Sequence, residues 1–391
     1  MEAVENLRKY LKIPTVHPDI NYEPVLDLLK QIANDLKLSV GVYQYVAGNP
    51  IIVLTWIGTH PSLKSVLLNS HMDTVPVIKE NWVYDPFGGV VDAEGNIHGR
   101  GAQDCKSVGL MYLEAIRRLK NAGVRLQRTV HVLFVPDEEL GGNKGMGVFV
   151  NTDDFRALNV GFAIDEGFAN ADNKFTISYS DRLSWKFVVD CEGTTGHASF
   201  LLNDTPGEKL TYFLNKVYEL RDESKQKLKQ DPSLSLSDVI SANLTQLQGG
   251  YTSNVIPEKL TLVFDFRLPP TTDLAKFEES ISRWCEEAGT GVTIRFLSKN
   301  QPYATKLDKS NQFWVAFENG IQELQVPYEI IVYKATTDAY HLRRVGVPCI
   351  GFVPLRNTVP LKHSDNEYLN TNAFLEAIDF YTKLIPALGN C

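Results

Sequence analysis

Two adjacent glutamates, Glu138 and Glu139, stand just past an apolar run, Val130–Val135, and just before a Gly141-Gly142 turn. Neighbouring carboxylates repel, and keeping both ionised in a cleft requires a compensating cation. A metal ion supplies that cation, and one glutamate can then bind it while its neighbour handles protons. An isolated Glu-Glu pair reads as a solvated loop; what changes the reading is ligand-type residues at the ends of other apolar runs. His71 and Asp73 follow the run 66–70, Asp104 precedes a helical pattern, and Glu166 follows the run 160–164. In open α/β sheets the carboxyl ends of the strands form the ligand crevice. Imidazole and carboxylate without thiolate suit zinc, or cobalt and manganese, in a hydrolytic site that keeps an open position. Asp73, two residues after His71, has the spacing of a carboxylate that orients the imidazole.

These residues need a scaffold, and the hydrophobic periodicity supplies one. Helical patterns cover 4–11 and 23–38, the second with Val25, Leu28, Leu29, Ile32 and Leu36 on one face. Strands are expected at 50–56 and 66–70, and a hairpin over 90–98. A helix after Asp104 presents Val108, Met111, Tyr112, Ala115, Ile116 and Leu119, and Gly123 closes it. Strands at Val130–Val135 and 160–164 complete a strand–helix–strand rhythm, which means a largely parallel sheet covered by helices.

From Arg182 the rhythm changes. A strand over 183–190 leads to a helix opening at Thr205-Pro206, with Thr as N-cap and Pro in the first turn. Two strands, 241–247 and 259–267, precede a helix carrying Leu274, Phe277, Ile281 and Trp284, then a strand over 291–297. That β-α-β-β-α-β order is ferredoxin-like. Past Asn300 the α/β style resumes with a helix over 313–324, strands at 328–332 and 347–353, and a last helix over 372–385. The expected fold is therefore α/β: a sheet domain built from 1–180 and 299–391, interrupted by an α+β module over 181–298.

Composition narrows the class. A chain of 391 residues is long for one hydrophobic core. Its net charge of −8 argues against nucleic acid or an anionic membrane as partner. Five scattered cysteines with no Cys-x-x-Cys suggest neither a thiolate zinc site nor a disulfide framework. No basic leader and no run of about 18 apolar residues is present, so a reduced, cytoplasmic protein is the expectation. No Gly-x-Ser-x-Gly elbow points to a serine nucleophile.

Three segments, His71-Met72-Asp73-Thr74-Val75-Pro76, Gly99-Arg100-Gly101-Ala102-Gln103-Asp104-Cys105-Lys106 and Asp137-Glu138-Glu139-Leu140-Gly141-Gly142, resemble in order and spacing the metallopeptidase family of aminoacylases, carboxypeptidases and deacetylases with two clustered zincs. The likeness runs nearly end to end, through Tyr10-Leu11-Lys12-Ile13-Pro14-Thr15-Val16, Phe162-Ala163-Ile164-Asp165-Glu166-Gly167, Gly193-Thr194-Thr195-Gly196-His197-Ala198-Ser199 and His363-Ser364-Asp365-Asn366-Glu367. Each segment alone is a weak pattern; together they are specific.

The resemblance implies two Zn2+ per subunit, with Co2+ or Mn2+ as substitutes. Asp104 would bridge them, His71 and Glu166 completing one site and Glu139 and His363 the other. Three ligand carboxylates against two divalent cations leave a charge of +1, which a bridging hydroxide neutralises. Glu138 would be the general base and Asp73 the partner of His71. The bond after Asp104 would be cis. His197 would stabilise the tetrahedral oxyanion in the partner subunit of a homodimer formed through the inserted module. Asn254 and Arg267 would grip the substrate's carboxylate. An arginine in a strand of Leu, Val and Phe is otherwise unexpected, and its fork geometry suits that role. The implied activity is hydrolysis of N-acyl-L-amino acids, chiefly N-acetylated neutral ones. Its rivals are a dipeptidase, carboxypeptidase or other deacetylase on the same site, and a scaffold that has lost turnover. The chain departs from the family at Thr337-Asp338-Ala339-Tyr340, where many relatives have Arg after the triplet; here Arg343 follows three residues on. Met72 and Cys105 read as packing residues, and His17, His60, His98, His131 and His341 as structural.

Overall fold

A computed structural model describes residues 2–391. The chain forms two compact units: one takes in the chain up to Tyr179 together with Ala304–Ile331 and Thr337–Cys391, the other Ser180–Tyr303 with Val332–Thr336. The second unit thus runs past the boundary expected at residue 298. Ser180 Oγ donates to the Tyr303 carbonyl (3.1 Å) and Ser237 Oγ to that of Val332 (2.7 Å), tying both extensions to it.

The first unit holds an eight-stranded mixed sheet. In spatial order its strands are Ser39–Val46, Asn49–Trp56, Val130–Val135, Ser65–His71, Val160–Asp165, Cys349–Phe352, Phe175–Asp181 and Tyr328–Tyr333. The parallel part is the centre, where Val130–Val135, Ser65–His71, Val160–Asp165 and Cys349–Phe352 all run the same way. Antiparallel strands flank it. Every residue of Val130–Val135 and Ser65–His71 is buried, which is why they read as unbroken apolar runs rather than alternating ones. Register brings the chemistry together. His71 lies level with Val135, so the chain leaves both strands side by side toward Asp73 and Glu138, and Gly351 lies level with Asp165, just before Glu166.

The helix Lys106–Asn121 covers these strands, with twelve of its sixteen residues buried. Gly109 makes the approach possible: a Cβ there would sit 2.3 Å from Phe134 Cε1 and 3.0 Å from Ser70 Oγ, so any side chain would push the helix off the sheet. The helix Thr371–Gly389 packs beside it, with the Tyr112 and Tyr381 rings 4.7 Å apart. Ser39–Val46 is an edge strand missed by the periodicity, because its side chains are mostly exposed.

Within the sheet, His131 of the strand Val130–Val135 illustrates how a core histidine stays neutral. Its Nε2 donates to the Leu158 carbonyl (3.1 Å), its Nδ1 meets Thr55 Oγ1 (2.9 Å), and burial pushes its pKa down to about 4. The unfolded chain takes up that proton near pH 6.5, the folded one only near 4, so the stability is intact above pH 6.5 and drains away as the pH falls toward 4. With metal-free protein, the stability gap between wild type and His131→Gln should shrink by about 2–3 kcal/mol between pH 7 and 4.5. Thermal melts of both proteins across that range measure it; a gap that does not change with pH would show that folding leaves the imidazole's pKa where it was.

The second unit has β-α-β-β-α-β order, its antiparallel strands arranged Ser241–Gly249, Lys259–Leu268, Leu183–Glu192, Val292–Lys299. Helices Pro206–Gln230 and Leu274–Ala288 supply Phe213, Val217 and Ile281 to a core shared with Trp185, Phe187, Phe264 and Phe266. The first helix starts where the sequence predicts, with Thr205 and Glu208 forming a capping box and Pro206 following the cap. Among the described residues no helix is long and apolar enough to cross a membrane.

Candidate metal centre

His71 ends its strand almost wholly buried. Its Nδ1 donates to the main-chain carbonyl of Asp73 at 2.9 Å, which leaves the lone pair on Nε2, the nitrogen that faces the acidic cluster. Asp73 therefore orients the imidazole through its backbone. Its carboxylate lies 3.6 Å from Nδ1 and has other work, accepting the N–H groups of Glu138 (3.2 Å) and Glu139 (3.0 Å) and His17 Nε2 (2.8 Å). One aspartate thus fixes both the histidine and the turn that presents the glutamate pair. That turn is tight: Asp137 has φ of 71°, and Gly142, at φ of 67°, comes so close to Asp338 that a Cβ would lie 2.5 Å from its Oδ1.

Asp104 sits between two imidazoles. Its Oδ1 is 3.2 Å from His71 Nε2 and its Oδ2 is 3.1 Å from His363 Nε2. The peptide bond to Cys105 is cis. His363 Nε2 also lies 2.9 Å from Glu139 Oε2, and the two carboxylates push its pKa up to about 10. On the other flank Glu166 Oε1 is 3.9 Å and Glu138 Oε2 4.0 Å from His71 Nε2. The donor atoms of His71, Asp104 and Glu139 lie within 4.8 Å of one another.

The electrostatics ask for a cation. Burial pushes Glu166 up to about 8 despite the nearby Lys362 ammonium, and burial with the neighbouring Glu166 holds Glu138 well above the usual carboxylate range. Glu139 Oε1 is buried without a hydrogen-bond partner. Two imidazoles, one with its free lone pair facing the carboxylates, and a carboxylate lying between them form a donor set that fits a divalent metal of the zinc type.

Several contributors escape sequence reasoning. Glu367, fully buried, accepts the N–H groups of Gly101 (3.0 Å), Gln103 (2.6 Å) and Asp104 (3.1 Å) and pairs with Arg100 (2.9 Å), so it shapes the turn that presents Asp104. Asp165 accepts from Asn69 (2.8 Å), Thr337 Oγ1 (2.8 Å) and the Ala339 N–H (2.7 Å), which anchors the Thr337–Ala339 loop beneath Glu166. Arg343 points elsewhere, its Nε donating to the Cys349 carbonyl. Lys362 pairs with Glu166 and approaches Asp104. Cys105 is more than filler, since its sulfur accepts the His71 main-chain N–H (3.2 Å).

The remaining three predicted residues belong to the second unit. His197 is exposed and pairs across a short ladder with Val255. Its Nδ1 accepts the Ser199 N–H (3.2 Å), so in the neutral ring the proton sits on Nε2. The Ala198 N–H donates to the Asn254 carbonyl (2.9 Å), which holds Asn254 beside that loop. Arg267 stands on the sheet face opposite the aromatic core and forks onto Asp265 (2.7 and 3.1 Å).

Acids and imidazoles gathered at the carboxyl ends of parallel strands are how metal-dependent hydrolases of this architecture are built, and the wider likeness agrees. The chain belongs to peptidase family M20/M25/M40, whose model matches residues 67–387. Among individual proteins it is similar to aminoacylase-1 of Mus musculus, 45% identical over 389 residues that cover 99% of this chain and 95% of that protein. Aminoacylase-1 of Homo sapiens is 44% identical over the same shares. Among solved structures, the M20 family metallo-carboxypeptidase Sso-CP2 from Sulfolobus solfataricus has the same fold, with a TM-score of 0.78 at 18% identity over 100% of this chain and 99% of that one.

Proposed function

We propose that the protein hydrolyses N-acyl-L-amino acids, chiefly N-acetylated neutral ones, to a carboxylate and a free L-amino acid. The observation that carries this reading is Asp104 held between His71 and His363 with Glu138 alongside, in a chain so similar to aminoacylase-1. Two zinc ions are the proposed cofactors: His71, Glu166 and Asp104 would hold one, and Glu139, His363 and Asp104 the other. When bound, they supply Lewis acidity to the acyl carbonyl and lower the pKa of water.

The rest is done by the chain. Glu138, whose Oε2 lies 4.0 Å from His71 Nε2 at the edge of the cluster, takes the proton of the attacking water and returns it to the leaving nitrogen. Asp73 keeps Glu138 and Glu139 in register by holding their N–H groups. His197, whose Nε2–H is a donor, stabilises the tetrahedral oxygen from the partner of a homodimer formed through the second unit. Asn254 and Arg267 receive the substrate's carboxylate, Arg267 exchanging its internal Asp265 fork for the ligand. The five cysteines are all free, which suits a cytoplasmic protein.

Zinc-loaded protein is expected to release methionine and acetate from N-acetyl-L-methionine far faster than it cleaves a panel of dipeptides; preference for the dipeptides overturns the assignment. Within that assay Arg267→Ala should raise KM about 10- to 100-fold, the value of a charge-assisted pair, with kcat little changed. N-acetyl-L-methioninamide, which has no carboxylate, should be indifferent to the substitution.

A further inference from the structure

Lys362 is the residue of the centre that neither the catalytic reading nor the ligand set uses. It immediately precedes His363, and its Nζ pairs with Glu166 Oε2 while lying 3.3 Å from Asp104 Oδ1. His71 Nε2 faces the same two carboxylates, 3.2 Å from Asp104 Oδ1 and 3.9 Å from Glu166 Oε1. An ammonium and a metal ion on this side therefore claim the same two carboxylates, with Asp104 Oδ1 common to both. The other side is different: His363 uses Asp104 Oδ2 and Glu139 Oε2, and among the described residues Glu139 has no ion pair except with His363.

We propose that Lys362 is a built-in competitor for one half of the centre, so that the first zinc enters at Glu139 and His363 and the second binds more weakly because it must displace the lysine from Glu166 and Asp104. This rests on the two-ion reading above. Geometry requires the displacement: the ammonium sits on Glu166 Oε2 and Asp104 Oδ1, and a divalent cation drawn to the same two carboxylates would lie against it and repel it in a buried site. The side chain can leave: it is 17% exposed, and its flexible stem can carry the head group to water. Each arrival at that side then draws only on the fraction of molecules in which the lysine is out, and the apparent affinity falls by that fraction. Giving up one charge-assisted hydrogen bond amounts to about tenfold.

The test is metal binding, read without turnover. Full-length protein stripped by a chelator is titrated with Zn2+ against a chromophoric competitor, giving stoichiometry and both dissociation constants. Wild type is expected to show two steps separated by about tenfold or more. In Lys362→Met the first step should stay in place and the second tighten by about tenfold, closing the gap. Lys362→Arg, which keeps the charge, should keep the steps apart and guards against a loss caused by misfolding. Coincident steps in wild type, or a second step unmoved in Lys362→Met, overturn the competition. If neither protein binds zinc, the two-ion centre itself fails and this inference with it; one tight ion in wild type and two in Lys362→Met is its strongest form.

Discussion

Glu138→Gln should leave a protein that binds zinc as well as wild type does but hydrolyses N-acetyl-L-methionine at least about a thousandfold more slowly, within the range that a positioned acid–base group contributes. The amide keeps the size and reach of the carboxylate, so the turn held by Asp73 through the Glu138 and Glu139 N–H groups is undisturbed. What disappears is the only function an amide cannot imitate, accepting the proton from water and handing it to nitrogen. The substitution also removes a buried charge whose strongest charged neighbour is Glu166, another acid. The metal-free variant should therefore melt at a higher temperature than metal-free wild type, as expected when function has imposed like charges on one site. Measuring kcat, zinc content and melting temperature on one preparation separates the two effects. A variant that kept its turnover within threefold would remove Glu138 from the reaction.

Asp104→Asn should be the most damaging change to the centre. An amide can offer one neutral oxygen where the carboxylate offers two charged ones, one to each imidazole side. Removing even an outer hydrogen-bonding partner of a ligand costs about 10- to 100-fold in metal affinity, so loss of the shared carboxylate should exceed a hundredfold. The variant, dialysed without chelator, should emerge with little or no zinc by elemental analysis and with no measurable hydrolysis. Its fold should survive, because the turn is held through main-chain N–H groups by Glu367, which the substitution does not touch. Full zinc content in folded Asp104→Asn would show that this carboxylate bridges nothing.

How much of this could be read from the sequence follows from the range of the forces involved. Strands buried on both faces announce themselves as apolar runs, and the residues after them, His71, Glu138 and Glu166, are then placed at strand ends without further information. The Thr205 capping box is equally local, four residues settling one helix start. Long-range hydrogen bonding leaves no such trace. Glu367 acts on a turn some 263 residues earlier, and a buried acid looks like any other acid in one dimension. Lys362 reads as a solvated charge until the fold brings Glu166 to it. His17 reads as structural, and only the geometry reveals that it leans on the aspartate behind the glutamate pair. The division of labour within Asp73 was equally hidden, since carbonyl and carboxylate share one residue letter.

The dependence of the Asp104 turn on Glu367 has a bearing on biosynthesis. Translation delivers His71, Asp104 and the glutamate pair early, but the grip that shapes their meeting point and the imidazole of His363 arrive almost last on the 391-residue chain. A growing polypeptide has no finished cage to offer an ion. A chain cut near residue 360 would therefore lack both the Glu367 hold on the Asp104 turn and the second imidazole of the centre.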